Sequence, residues 1–280
     1  MQTPVLRRDA ALYLTPLREG GSLPGVVETV DGTTWVVKFR GAGQGPKALV
    51  AELLVADLAE TLGLPVPDRS LVMLDEAFGQ GERDPEIQDV LAASRGVNVG
   101  LRYMDGAFNL DPVAVPESVD EAFATALVWL DALVTNPDRS ARNPNLMFWN
   151  DRSWLIDHGA ALYFHHDWSR VTRERLRAPF PGIRDHVLLT RAGNLSDADP
   201  ALADRLTPQV LEEAVGRLPE DLLADPLMRE AEGVDPPETR RRYLEALTAR
   251  LEAPRAFATA AESLRTEARA TRPTRLESRR

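Results

Sequence analysis

Asp138, Asn143 and Asp157 are the side chains of this sequence best suited to chemistry. Asn143 follows Asp138 by five residues. Asp157 closes the apolar run Trp154-Leu155-Ile156 and precedes His158-Gly159. Phosphoryl transfer needs a carboxylate that orients the acceptor hydroxyl or takes its proton. It also needs hard oxygen donors that hold a divalent cation against the phosphates. Asp138 suits the first task, and Asn143 and Asp157 suit the second. Asn145 is a rival to Asn143, Arg139 can orient the loop, Asp131 reads as a local cap or orienting group, and Asp151 reads as a turn residue. Asn136-Pro137-Asp138 and Asn143-Pro144-Asn145 would also make plain turns. Turn chemistry alone does not call for an apolar hairpin that ends in an acid beside glycine.

The phosphates themselves must be held. Lys38 ends the strand-like run Trp35-Val36-Val37, a rigid place from which an ammonium can reach the α- and β-phosphates. A buried lysine needs a counter-charge. Glu52, on the next predicted helix, is the natural partner, and Lys47 near the start of that helix is the rival lysine. The turn Gly20-Gly21-Ser22-Leu23-Pro24-Gly25 offers backbone N–H groups, around Ser22 and Gly25, that can cover phosphates. It lacks the Gly-Lys-Ser/Thr ending of a P-loop, and a plain turn also accounts for it.

These side chains need elements to place them. Ala11–Leu14, Val26–Val30 and Thr33–Phe39 read as strands, the last two joined by the hairpin signal Asp31-Gly32. Leu49, Leu53 and Ala56 recur at helical spacing over 47–62, with Gly63 as the stop and Pro65 preventing continuation. Ser70–Leu74 is a further strand, and 79–95 reads as a loop and a short helix. Pro116–Val134 reads as a buried helix capped by Ser118, with Glu121 three residues on. Leu146–Trp149 and Trp154–Ile156 flank a hairpin turn, and 183–258 is mainly helical. The fold class is therefore α+β and bilobal: a small β-rich N-lobe with one main helix (1–75), and a larger, mostly helical C-lobe carrying the catalytic and metal-binding loops (76–258). Residues 259–280 read as a flexible basic tail. From 261 on they hold six arginines and three glutamates.

Bulk properties set the outer limits. A chain of 280 residues can bury a large core. With no cysteine, disulfides, thiolate catalysis and Cys-ligated zinc are excluded. The net charge of −10 argues against non-specific nucleic-acid binding. No apolar run is long enough to span a bilayer, and the first residues lack the form of a secretory signal, so a cytoplasmic protein is expected. The spacing of Phe164-His165-His166-Asp167 is not a zinc motif.

Three blocks together resemble the HipA-like kinase family: Trp35–Phe39 followed by 44–67, Thr135–Phe148, and Trp154–Gly159. The resemblance covers roughly residues 9–250. It implies a fold akin to protein kinases and phosphoinositide kinases, with ATP and Mg2+ as cofactors and transfer of the γ-phosphoryl group to a hydroxyl. Protein Ser/Thr is the family-based acceptor; a small-molecule or lipid hydroxyl and a catalytically inactive nucleotide-binding scaffold are the alternatives. It assigns Lys38 to ATP phosphates, Glu52 to Lys38, Asp138 to the catalytic position, and Asn143 and Asp157 to magnesium. By fold analogy the adenine lies against the backbone of Val72–Asp75. Ser140 stands where the family often has histidine, and the core begins within about the first ten residues, without the N-terminal region of the toxin members. Toxin activity and an antitoxin partner therefore do not transfer. The role of Gly96–Gly100 does not follow from the sequence.

Overall fold

A computed structural model of the chain describes residues 5–17, 23–43, 45–225, 228 and 235–271. Five strands close into a barrel: β1 (Leu6–Pro16), β2 (Gly25–Thr29), β3 (Thr34–Lys38), β4 (Arg69–Leu74) and β5 (Gly96–Arg102), in the order β1-β2-β3-β5-β4. β1 and β4 are parallel, and the other neighbours are antiparallel. The β2–β3 turn forms where Asp31-Gly32 predicts it. Gly32 takes a φ of 75°, and Asp31 Oδ1 accepts from the hydroxyls of Thr29 and Thr33 at 2.7 and 2.6 Å.

β5 closes the barrel by pairing with both β3 and β4. It contains Gly96–Gly100 and lies beyond the boundary expected at residue 75, so the strand-rich part runs to residue 102. Gly100 serves close strand approach, since a Cβ there would stand 2.9 Å from Val72 Cγ2.

Helix α1 (Pro46–Thr61) follows β3, one residue from the expected span. Pro46 fits the first turn, where its missing N–H costs nothing, and Gly63 ends the helix at a φ of 80°. Leu49, Val50, Leu54 and Leu58 are fully buried, each worth about 1.5–3 kcal/mol of transfer free energy. Buried Arg69 of β4 pairs with Asp57 and Glu60 of α1, both at 2.6 Å, and fixes the helix to the barrel.

The remaining chain is mostly helical: α2 (Pro85–Ala93), α3 (Glu121–Leu133), α4 (Arg173–Arg177), α5 (Leu195–Arg205), α6 (Pro208–Gly216), α7 (Glu220–Leu223), α8 (Pro236–Leu251) and α9 (Ala256–Thr271). A small sheet of β6 (Phe108–Asn109), β7 (Leu146–Trp149) and β8 (Arg152–Leu155) interrupts it. Asn150 and Asp151 both adopt positive φ, 48° and 58°, as a two-residue hairpin requires.

Two expectations change here. α3 starts at Glu121 rather than near Pro116. Asp120 caps it by accepting from the Phe123 N–H at 2.7 Å, and its carboxylate faces the positive end of the helix. Ser118, the expected cap, instead lies 2.9 Å from the Ser153 hydroxyl on the hairpin. The expected flexible tail is helix through Thr271: Phe257, Ala258 and Ala261 are buried, and the Phe257 ring meets Trp129 of α3 edge-on at 5.4 Å. Residues 272–280 lie outside the described residues. Among those described, no helix is long and apolar enough to cross a membrane.

Candidate active site

Lys38 leaves the end of β3 and meets two carboxylates. One is Glu52, one-third of the way along α1, in a fully buried ion pair. The other is Asp157, whose Oδ1 accepts from Lys38 Nζ at 2.6 Å. β8 delivers Asp157 and the chain then turns sharply, with a φ of 54° at Asp157 itself. Gly159 lets that turn press on α1, because a Cβ there would stand 3.3 Å from Glu52 Oε1 and 3.4 Å from Ala48 Cβ. The His158 backbone N–H also bonds to Glu52.

One ammonium therefore serves two acids. Burial alone would neutralise Lys38, but Glu52 and Asp157 outweigh it and hold the lysine above its ordinary value. Burial likewise opposes charge on Asp157, yet Lys38 keeps this acid below the usual carboxylate range. Glu52 has no solvent exposure, and burial pushes its pKa up despite Lys38. Its Oε2 is buried without a hydrogen-bond partner. With both acids ionised the cluster carries one excess negative charge, a setting that favours an added cation.

Asp138 sits on the loop after α3. Its backbone N–H bonds to Asn136 Oδ1 at 3.0 Å, the Asx turn that Asn-Pro-Asp predicts. Asn143 Nδ2 donates to both Asp138 oxygens at 3.0 Å. Asn143 is exposed, whereas Asn145 is buried and tethers the loop, its Nδ2 donating to the Asp138 carbonyl at 2.5 Å. The Asn145 carbonyl accepts from Ile156 N–H at 3.1 Å, which ties the Asp138 loop to the residue just before Asp157.

Beneath the loop lies a second cluster, which the sequence reading underrated. Asp131, expected as a local cap or orienting group, orients the loop: it is fully buried and accepts from Arg139 Nε at 2.6 Å, Asn136 Nδ2 at 3.0 Å and His186 Nε2 at 3.0 Å. His186 Nδ1 accepts from Leu188 N–H, so its proton sits on Nε2, toward Asp131. Burial works against the Asp131 charge, but Arg139 and these donors hold it well below the usual carboxylate range. Arg139 also reaches the Asn145 carbonyl and His158 Nδ1. Burial, reinforced by Arg139, pushes His158 down to about 3. Ser140, in the position after Asp-Arg, bridges to His186 in a strand-like pair. A histidine from far downstream thus supports the loop, and no local spacing pointed to it.

Other expected groups fall elsewhere. Lys47 donates to the His165 carbonyl at 2.7 Å rather than joining Glu52. His165 is buried against the Tyr243 hydroxyl at 3.0 Å. Gly25 opens β2, and a Cβ there would meet the Tyr13 ring at 2.5 Å, so packing accounts for the glycine. Ser22 lies outside the described residues. The expected adenine segment Val72–Asp75 falls largely on β4. Val72 and Met73 are paired on one side with β1 and on the other with β5, whereas Leu74 pairs with β5 alone and Asp75 lies beyond both registers.

The oxygen donors fit a hard cation. Asp157 is held ionised with its side chain 39% exposed, and Asn143 carries an exposed amide on the Asp138 loop. Among the described residues no group of three or more His, Asp or Glu side chains is arranged to hold a metal. Two protein oxygens with the rest supplied by phosphate and water is the pattern Mg2+ prefers beside a nucleotide.

Comparison with known proteins bears on the family and the fold. A family model described as HipA-like kinase matches residues 13–176, more than half of the chain. The crystal structure of a Helicobacter pylori proinflammatory kinase, CtkA, aligns at a TM-score of 0.51 and 14% identity, over 92% of this chain and 98% of that one. That likeness shows a kinase-like fold. The Golgi casein kinase aligns at a TM-score of 0.40 and 13% identity, over 92% of this chain and 75% of that one. No match was found among curated proteins.

Proposed function

The chain belongs to the HipA-like kinase family and is an ATP-dependent phosphotransferase; from that premise we propose that it moves the γ-phosphoryl group of ATP to a protein Ser/Thr hydroxyl with Mg2+ as the working cation. The barrel with α1 serves as the smaller lobe and the helical remainder as the larger one. The observation that carries the reading is Lys38, held between Glu52 and Asp157.

In this reading Lys38 contacts the nucleotide phosphates from a fixed position, and Glu52 keeps its ammonium aimed. Asp157 and Asn143 supply the cation's protein oxygens. A bound divalent cation neutralises charge on the phosphates. Asp138 accepts a hydrogen bond from the acceptor hydroxyl in place of the one it takes from Asn143. That exchange aligns the hydroxyl and gives its proton a destination. The adenine rests beside the end of β4, at Leu74 and Asp75, which no β1 residue pairs.

Labelled ATP incubated with a cell extract tests the reading and reports the acceptor. Transfer by the wild type that Asp138→Ala abolishes, with ATP binding retained, is the expected result. Equal transfer by the two proteins would sink the mechanism.

A further inference from the structure

A cavity of about 470 Å³ opens beside the Asp138 loop, between Thr135 and the segment that follows Asp157. Tyr163, Phe164 and Phe180 contribute apolar walls, and Arg170, Arg175 and Arg250 contribute charge. The contact between the two segments is direct: Tyr163 N–H donates to Thr135 Oγ1 at 3.1 Å, and Leu162 N–H to the Val134 carbonyl at 2.6 Å. Thr135 is three residues from Asp138. The cavity wall thus includes the stretch of chain that leads from α3 into the Asp138 loop.

The charge of the cavity runs against that of the whole molecule. The chain carries −10, yet 168–191 holds arginines at 170, 173, 175, 177, 184 and 191 against only Glu174 and Asp185. Arg173 and Arg177 share Glu252, and Arg184 pairs with Glu267 at 3.5 Å. Arg170 and Arg175 remain on the cavity, both exposed. Arg170 meets Asp167 at 3.0 Å, and the Arg175 guanidinium donates to the Arg170 carbonyl at 3.2 Å. Arg250 is 3% exposed and donates to the carbonyls of Leu133, Leu176 and Ala132. No carboxylate among the described residues pairs with it, and burial alone pulls its pKa down to about 10. His166 Nε2, on the same lining, is buried with no hydrogen-bond partner. Three guanidinium groups facing one acid, with an unused ring nitrogen, make a site short of negative charge.

We propose that this cavity is the acceptor-recognition site and that it takes a carboxylate- or phosphate-bearing residue next to the hydroxyl of an acidic polypeptide. The inference rests on the kinase reading above and names its substrate class. The aromatic walls pack against the side-chain stem while Arg170 and Arg175 fork onto the anion.

Labelled peptides with a central serine flanked by glutamates, by phosphoserine, by alanines or by lysines provide the test, on the full chain. Binding is read by anisotropy without ATP, and kcat and KM are read with it. The acidic peptides should bind at least about tenfold tighter than the alanine peptide, the worth of one charge-assisted contact. Arg170→Glu with Arg175→Glu should erase that preference through KM with kcat little changed. Arg191→Glu, on the same segment but outside the cavity, should keep it. Whichever anion binds tighter identifies the group the cavity takes. Equal binding of acidic and alanine peptides, or a preference that survives the double reversal, overturns the inference. If transfer proceeds without charge preference, the cavity assignment fails and the kinase reading stands. If acidic peptides bind in an Arg170- and Arg175-dependent way but no peptide is phosphorylated, the recognition site stands and the proposed peptide acceptor chemistry fails.

Discussion

Two buried charge clusters lie on either side of the Asp138 loop, and they are built on opposite principles. In the lower one, Asp131 faces Arg139, His186 and Asn136, and the charges balance. Asp131 and Arg139 side chains have no exposure at all. In the upper one, a single Lys38 faces Glu52 and Asp157, a buried oxygen of Glu52 has no partner, and the Asp157 side chain is 39% exposed. The closed cluster has nothing left to bind and holds the loop in shape. The open one keeps an excess carboxylate within reach of solvent, where the proposed cation would bind. Perturbed ionisation marks both, so the imbalance and the exposure separate scaffold from site.

Breaking the closed cluster should cost the most stability. Asp131→Ala leaves the Arg139 guanidinium buried without its counter-charge, and denaturant unfolding should show a loss of about 3–5 kcal/mol. A loss under about 1 kcal/mol would mean that this cluster is not the scaffold. Lys38→Met should reverse the pattern. Phosphoryl transfer should fall at least about 100-fold, as when one donor to a developing charge is removed. The folding loss should be smaller than for Asp131→Ala, because removing the ammonium leaves Asp157 part-exposed to water, whereas Arg139 would be left fully buried. If Lys38→Met unfolds the protein as badly as Asp131→Ala, the two clusters are equivalent and the comparison fails.

Acidification should sharpen the contrast by smaller steps. His158, His165 and His186 are held neutral by burial, with pKa values below that of a free imidazole. The unfolded chain takes up protons near pH 6.5 and the folded chain does not, so stability is full above that pH and falls below it. For His158 the loss continues down to about 3. Each such histidine contributes as much as about 1.4 kcal/mol per pH unit in its window. Glu52 has the opposite sign, since its raised folded pKa makes protonation favour the fold. Asp131 and Asp157, depressed in the fold, add their loss only below the ordinary carboxylate range. Denaturation midpoints should therefore drop steadily from pH 7.5 to 5, and His158→Asn should flatten the slope. A pH-independent midpoint would show these histidines to be protonated or exposed.

Local signals were legible where the backbone rule is local. The Asp31-Gly32 and Asn150-Asp151 hairpins, the Gly63 stop of α1, and the Asn136-Asp138 turn all follow from nearest neighbours. The Lys38–Glu52 pair was also legible, because a lysine ending an apolar strand needs an acid and the next helix carries one. Capping at Ser118 was misread, since Ser118 and Asp120 are both good caps and the hairpin at Ser153 chose between them.

What the residue order offered by itself is the inventory proposed for the reaction: Lys38, Glu52, Asp138, Asn143 and Asp157, each singled out by its type and its neighbours. Tertiary structure decided how that inventory is held. It brought His186 to Asp131, ran β5 along β3 to close the barrel, packed 256–271 as a helix on α3, and gathered arginines around one cavity near Asp138. Each depends on contacts between residues tens of positions apart. Periodicity and turn chemistry act over a few residues, whereas burial and charge pairing depend on what the whole chain brings alongside.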